Sequence, residues 1–394
     1  MSKYRLNLTI FFTVKYFYFK GIGMTYYKNQ HYVPKWFQRS FIPNDKGQYW
    51  YLDLKPVIIG RPDGQNEIKT PSFWGVGRCF CKDDFYRNLL FKDPNYLEKT
   101  FYGDIDDKGA RGIQTLFSPY GVGSKERFSD FLDFMDTLRL RTPKGIILVK
   151  KYLFPKHVQA SKISLDEIIL DNIRRIRGMH QTLWTEGVWF YLSAEKSSSK
   201  FIISDHPVVF FNKKISPANE RLDIFMLLGT ILIFPLDLNN CLIIFHRDYG
   251  INRELNPLEN RCNARIFDIN RFIVTDKLKD TVTPMHAQTK ELKDSEVIAV
   301  NHIIKKRADK FIASYNKDDL FPEKLVKDID VTNIENIVLP DSNMIAVIGN
   351  TYYGTTSGRY FGADPYGRSL SPAEAEKEIK QMMEKVKRIK NGKK

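Results

Sequence analysis

The chain has 394 residues, of which 43% are hydrophobic and 13% aromatic, enough to bury a large core and to exclude global disorder. Its formal net charge of +15 favours polyanionic partners such as nucleic acid or an anionic surface, with a solvated basic surface as the alternative. Four cysteines, Cys79, Cys81, Cys241 and Cys262, exclude a disulfide framework and lack zinc-finger spacing, which points to a reduced, cytoplasmic protein.

Residues 1–23 contain four bases and no acid. Leu6 to Ile22 is too short for a membrane span and holds Lys15 and Lys20, and no small-residue cleavage site follows it. Its alternation would suit a strand. Translated upstream sequence is the stronger reading. Lys20-Gly21 is encoded by a purine-rich stretch where a ribosome-binding site would precede Met24. The functional protein is therefore expected to begin at Met24, and residues 1–23 to pack poorly.

Residues 25–43 read as an extended piece with a short helix, since Pro34 biases Val33 to extended geometry. Gln48 to Leu54 alternates as a strand behind the turn-forming Asn44 to Gly47, so 37–54 is expected to form a hairpin. A helical stretch around 93–117 is expected to be broken by Gly103, Gly109 and Gly112. Phe128, Phe131, Leu132, Met135 and Leu138 recur at helical spacing across 125–141, where Thr142-Pro143 stops the helix. A second amphipathic helix is expected over 163–190.

The period then shortens. Phe201 to Ile203, Val208 to Phe211, Ile231 to Leu236, Cys241 to Phe245 and Arg271 to Thr275 are short strand candidates. Pro257 to Phe267 reads as a helix, 286–316 as another, and 340–370 as loop. In the tail, Ser371, Pro372 and Glu374 supply a capping signature, and Ile379, Met382, Met383, Val386 and Ile389 one apolar stripe. The change of period predicts an α+β fold: a helical middle region packed with a mixed or antiparallel sheet of short strands, plus a C-terminal amphipathic helix. A principal domain over 24–310 and an extension over 311–394 are expected. No P-loop, dinucleotide fingerprint, HExxH or GxSxG elbow is present.

Three segments carry a resemblance: Asn29-Gln30-His31-Tyr32-Val33-Pro34 with Phe37 and Phe41 behind it, Arg139-Leu140-Arg141-Thr142-Pro143, and Phe201 to Val208 with Ser204-Asp205-His206-Pro207 at its centre. In order and spacing they resemble the bacterial family numbered 4238 among the domains of unknown function, over roughly residues 24–275. The third is preceded by a segment, expected to be helical, that bears Trp189. The resemblance implies kinship without a reaction, and a loose association with microbial conflict or defence proteins.

Each segment sets polar groups beside a proline, and loops on a rigid scaffold commonly present functional groups. His31 suits a general base or metal ligand, Asp205 a carboxylate that orients that ring or shares a divalent ion, and Arg141 a phosphate clamp. Asn29, Gln30, Arg139 and His206 would line the pocket around this catalytic trio. Asp83, Asp84, Glu98 and Asp104 are further possible metal carboxylates. Structural roles compete at each position: a loop hydrogen bond for His31, a turn cap on backbone N–H groups for Asp205, and a buried Arg141–Asp205 ion pair.

Two functions follow. One is a nucleic-acid-directed hydrolase, a nuclease-like effector with His31, Arg141 and Asp205 in its site and a divalent metal. The other is a non-catalytic protein that binds nucleic acid or a partner and whose motifs are structural. The 371–394 helix could take a protein partner, and no segment reads as membrane-spanning. For the expected start, intact mass of the native protein should give a chain beginning at Met24 or Thr25. A Met1 or Ser2 terminus refutes it.

Overall fold

The longest apolar runs of the second half build the centre of the molecule. A computed structural model describes residues 29–43, 47–56, 59–60, 66–67, 71–85, 102–116, 125–152, 187–261, 266–268, 273–274, 288–325 and 334–341, with Ile173, Ile176, Arg177, His180, Leu183 and Trp184 at separate positions. The upstream segment, Glu98, Cys262 and the tail helix lie outside them.

The strands are β1 (Asn29–His31), β2 (Gln48–Asp53), β3 (Ile59–Gly60), β4 (Asn66–Glu67), β5 (Ser72–Gly75), β6 (Cys81–Asp83), β7 (Val188–Ser193), β8 (Ile203–Ser204), β9 (Val209–Phe211), β10 (Ile231–Pro235), β11 (Asn240–Phe245), β12 (Ile266–Asp268), β13 (Ile273–Val274), β14 (Gln288–Glu291) and β15 (Phe311–Ser314). The helices are α1 (Lys35–Arg39), α2 (Gly103–Leu116), α3 (Lys125–Arg141), α4 (Pro143–Tyr152), α5 (Arg247–Ile251), α6 (Asp294–Arg307), α7 (Pro322–Leu325) and α8 (Ile334–Val338). The fold is α+β, with mixed and antiparallel sheets of short strands beside the helical middle, as the change of period predicts.

One sheet runs β14-β7-β11-β10-β9, antiparallel except where β14 joins β7 in parallel. Every residue of β7, β9 and β10 is buried. A sheet covered on both faces needs apolar side chains at both phases of the pleat, which is why these strands read as unbroken apolar runs. A second sheet, β5-β2-β15-β8, is antiparallel throughout. The ribbon β1–β6 carries the first motif, with His31 opposite Cys81. Helix α3 lies on the first sheet through Phe131, whose ring meets Trp189 and Phe234. Its Phe134 packs on Trp36 and Phe37 of α1.

Several local expectations give way to tertiary pairing. The 37–54 hairpin does not form: 35–39 is helix, and β2 pairs with β5 and β15 instead. The helix expected to run to 190 gives way to β7, so Trp189 is a strand residue. The Pro257 to Phe267 helix is replaced by a bridge at Asn260 and by β12. Among the described residues of 286–316 only α6 is helical, flanked by β14 and β15. Apolar runs of this length satisfy either period, and the available strand partner decides. The expected division at residue 310 falls between α6 and β15, and β15 is an interior strand of the second sheet.

Gly109 and Gly112 do not break the helix, whereas Gly103 is its first residue. Helix α2 runs through Gly109 and Gly112 against α3. A Cβ at Gly109 would sit 2.4 Å from the ring of Phe134, and one at Gly112 would sit 2.9 Å from the Phe131 backbone nitrogen. The missing side chains let the two backbones approach. Thr142-Pro143 ends α3 as expected, and Pro143 then opens α4, the position where its missing N–H costs nothing.

These contacts fix the sign of a substitution. Helix propensity alone would make Gly109→Ala stabilising by about 1 kcal/mol. Overpacking against the buried Phe134 should instead destabilise by about 1–3 kcal/mol, read by chemical denaturation. A gain in stability would mean that α2 moves off α3 at no cost.

Candidate functional site

The end of α3 is where polar groups enter the core. Asp136 and Arg139 are three residues apart and share a face, whereas Arg141 is turned away from Arg139 by about 200°. Arg139 and Arg141 are each 1% exposed. Burying a guanidinium is tolerated only when its donors find partners.

Arg139 finds them for both terminal nitrogens in two segments. Its Nη1 donates to the Val208 carbonyl at 2.6 Å and to His206 Nε2 at 3.0 Å, and its Nη2 to Glu220 Oε1 at 2.8 Å. The guanidinium carbon stands 3.5 Å from the centroid of the Phe210 ring, a cation–π contact. Glu220 takes a second cation, with Lys144 Nζ 2.6 Å from Oε2. Lys144 also donates to the Arg307 carbonyl at 2.7 Å, and the Arg307 side chain donates to the Ile215 carbonyl at 2.5 Å. Burial alone would raise the Glu220 carboxyl, but Arg139 and then Lys144 outweigh it and bring it to about 2.

The tautomer of His206 follows from its neighbours. Arg139 donates to Nε2, so that nitrogen is the acceptor. Thr142 Oγ1 donates to the Arg139 carbonyl at 3.2 Å, which leaves it to accept from His206 Nδ1–H at 2.7 Å and from Gly145 N–H at 3.1 Å. Burial, then Arg139 and Lys144, hold the imidazole well below its usual value, so it is neutral. Gly145 is required here: a Cβ would meet the Arg139 carbonyl oxygen at 2.2 Å.

Beside this cluster lies a second buried pair. Asp136 accepts from Trp184 Nε1 at 2.8 Å and faces His180 Nδ1 at 3.3 Å. Burial raises the Asp136 carboxyl and lowers the His180 imidazole. The His180 ring packs on Phe225 and Phe210.

The other expected site residues are placed separately. Arg141 donates from Nε to the Tyr32 carbonyl at 3.1 Å and from Nη1 to Asp106 at 3.1 Å, where the sequence offered Asp205 as its ion-pair partner. Asp205, 2% exposed, accepts from the backbone N–H groups of Asp309, Lys310 and Phe311 at 2.9, 2.7 and 2.9 Å. Burial raises its carboxyl to about 6, opposed by those three donors. It thus caps the turn into β15. His31, half-buried, has Nε2 3.2 Å from the Val76 carbonyl, and burial and then Lys35 lower it to about 4. Gln30 is buried, while Asn29 is exposed and hydrogen-bonds with the Cys81 side chain.

The structure therefore joins Arg139 to His206, while His31, Arg141 and Asp205 each tie a different pair of segments. Among the described residues, no group of three or more His, Cys, Asp or Glu side chains is placed to hold a metal ion. Sequence reasoning missed Asp136, His180, Lys144, Glu220 and Arg307. Asp136 was detectable as an acid inside an apolar helical stripe, and Lys144 as the neighbour of a motif. Nothing in the chain marks Glu220, and Arg307 ends a Lys-Lys-Arg run that reads as a solvated helix terminus.

Residues 29–318 match the family model described as Protein of unknown function (DUF4238). The chain belongs to this family. The three motifs that suggested it are the segments just placed, and all lie inside the matched range. No curated protein and no solved structure matches the chain. No helix among the described residues of this DUF4238 member is long and apolar enough to cross a membrane.

The depressed Glu220 carboxyl predicts a pH profile. Its folded value lies below its unfolded one, so its contribution is present above about pH 4.5 and is lost as pH falls towards 2. That contribution is about 3 kcal/mol. Glu220→Gln should be destabilised at pH 7 and should show a flatter loss of stability below pH 4.5, measured by urea unfolding. Parallel wild-type and variant profiles over that range would refute the ion pair.

Proposed function

We propose that the protein is a non-catalytic nucleic-acid-binding protein whose three motifs are internal fastenings. The observation that carries this reading is that Arg141 and Asp205 are buried and have their hydrogen-bonding groups taken up by the fold. A phosphate clamp needs donors that can reach a ligand, and a metal or general-base carboxylate needs free lone pairs. His31 is neutral near pH 7, since its value is lowered to about 4, and its Nε2 is engaged with a backbone carbonyl. The hydrolase reading asks these same groups to be free.

The charge supports a polyanion as the partner. From Met24 onward the chain still carries a formal net charge of +11, 57 bases against 46 acids, and the three internal ion pairs draw on only two acids, Glu220 and Asp106. Surplus positive charge at the surface gathers nucleic acid and releases its counterions.

Fluorescence anisotropy with single- and double-stranded DNA and RNA should show binding that weakens linearly in log K against log salt. His31→Ala should fold and bind as wild type. Asp205→Asn should lose about 1–3 kcal/mol of stability while its folded fraction binds normally. Metal-dependent cleavage that disappears in folded His31→Ala or Asp205→Asn would overturn the reading and restore the hydrolase.

A further inference from the structure

The sheet β5-β2-β15-β8 has two unlike faces. On one, Tyr51 stacks between Trp74 and Phe311 with ring centroids 5.5 and 5.0 Å away, and Phe80 closes over it at 5.2 Å. On the other, strand alternation places Trp50 and Leu52 of β2, Ile312 and Ser314 of β15 and Phe73 of β5 together. The inner half of this second face is closed, with Leu52, Ile312 and Ser314 all buried. Its outer half is open. Phe73 is 40% exposed and Trp50 is half-buried.

Trp50 and Phe73 are directly opposite in the β2–β5 register, with ring centroids 5.2 Å apart. Over the Trp50 ring stands Lys317, its Nζ 5.0 Å from the centroid. Lys317 is exposed and makes no ion pair among the described residues. Among the described residues strand β5 is the edge of its sheet, so the aromatic pair lies at a border that chain can approach.

We propose that Trp50 and Phe73 form a platform on which unpaired nucleobases stack, with Lys317 as the contact for the adjoining phosphate; this deepens the nucleic-acid-binding reading and rests on it. Every base has an apolar π-face, so an aromatic pair at the open part of a sheet face accepts bases without regard to sequence. The unpaired lysine beside the rings selects a polyanion over an apolar protein segment, for which a rim cation offers no complement. In a duplex the bases are stacked on one another, so the platform serves single strands only. Lys317 then turns from the Trp50 ring to the phosphate, and the ring face it leaves is taken by a base.

The test uses the full chain and two fluorescent probes, an oligothymidylate of about 15 nucleotides and a duplex of the same length. Phe73→Ala is the main variant, since truncating a side chain this exposed spares the fold, and circular dichroism checks it. It should weaken single-strand binding at least about tenfold and leave duplex binding unchanged, while Phe73→Tyr restores it. Lys317→Ala should lower the salt slope of single-strand binding by about 0.7, the value of one phosphate contact. Equal binding by wild type and Phe73→Ala would overturn the platform and leave the nucleic-acid reading intact. Failure of wild type to bind either probe would overturn both. A concentration-dependent sedimentation coefficient that Phe73→Ala abolishes would make this face a contact between two copies of the chain and overturn the platform.

Discussion

The buried guanidinium of Arg139 is the constraint on which most of the interior arrangement depends. It joins the last turn of α3 to the turn between β8 and β9, to β9 itself through Phe210, and to the segment bearing Glu220. Arginine suits this place because its planar fork offers several donors in fixed directions and a face that lies on an aromatic ring. A lysine would supply the charge without that geometry. Withdrawing one partner of such a pair leaves the other charge buried and alone, at a cost of about 3–5 kcal/mol. Lys144 and Arg307 extend the same network to α4 and α6, so elements far apart in sequence share one electrostatic anchor.

The remaining motif residues follow the same logic at smaller scale. Asp205 fastens the turn after β8 to the chain entering β15, next to the strand it pairs with. Arg141 fastens the end of β1 to α2. Gln38 of α1 donates to the Val33 and Cys79 carbonyls and accepts from the Tyr49 hydroxyl, and so holds the first motif against the segment before β6. In each case a side chain satisfies backbone groups that irregular chain leaves without ladder partners, which is the demand that burying such chain creates. Prolines beside these positions limit the conformations each turn can adopt, so the fastening acts on a segment already restricted.

With these charges engaged internally, the exposed chemistry lies on the sheet surface. There the outer half of one sheet face sets an exposed phenylalanine and a half-buried tryptophan beneath a lysine. The interior network and the open face are connected through β15. Asp205 caps its entry, its middle pairs with β2, and Lys317 follows its end. The motifs thus bear on the surface by positioning the strand that carries it.

The sequence by itself determined the elements whose pattern is long or chemically marked. Helix α3 was legible from Phe131, Leu132, Met135 and Leu138, and its end from Thr142-Pro143. The strands β9, β10 and β11 were legible from continuous apolar runs, the α+β class from the change of period, and the family from three short motifs. Short apolar runs such as Val188 to Ser193 fit both periods, and only the neighbouring strands β11 and β14 made that one a strand. Gly109 and Gly112 read as breakers until α3 lay against them. The site was half legible: Arg139, Arg141, Asp205 and His206 were singled out by residue type, but which of them meet was not. Arg139 meets Glu220 across 81 residues of chain, and Asp205 meets the 309–311 backbone across more than a hundred. Such pairings depend on how sheets and helices pack. Whether a polar side chain faces a ligand or a backbone carbonyl is decided by what the fold brings beside it, which local sequence does not encode.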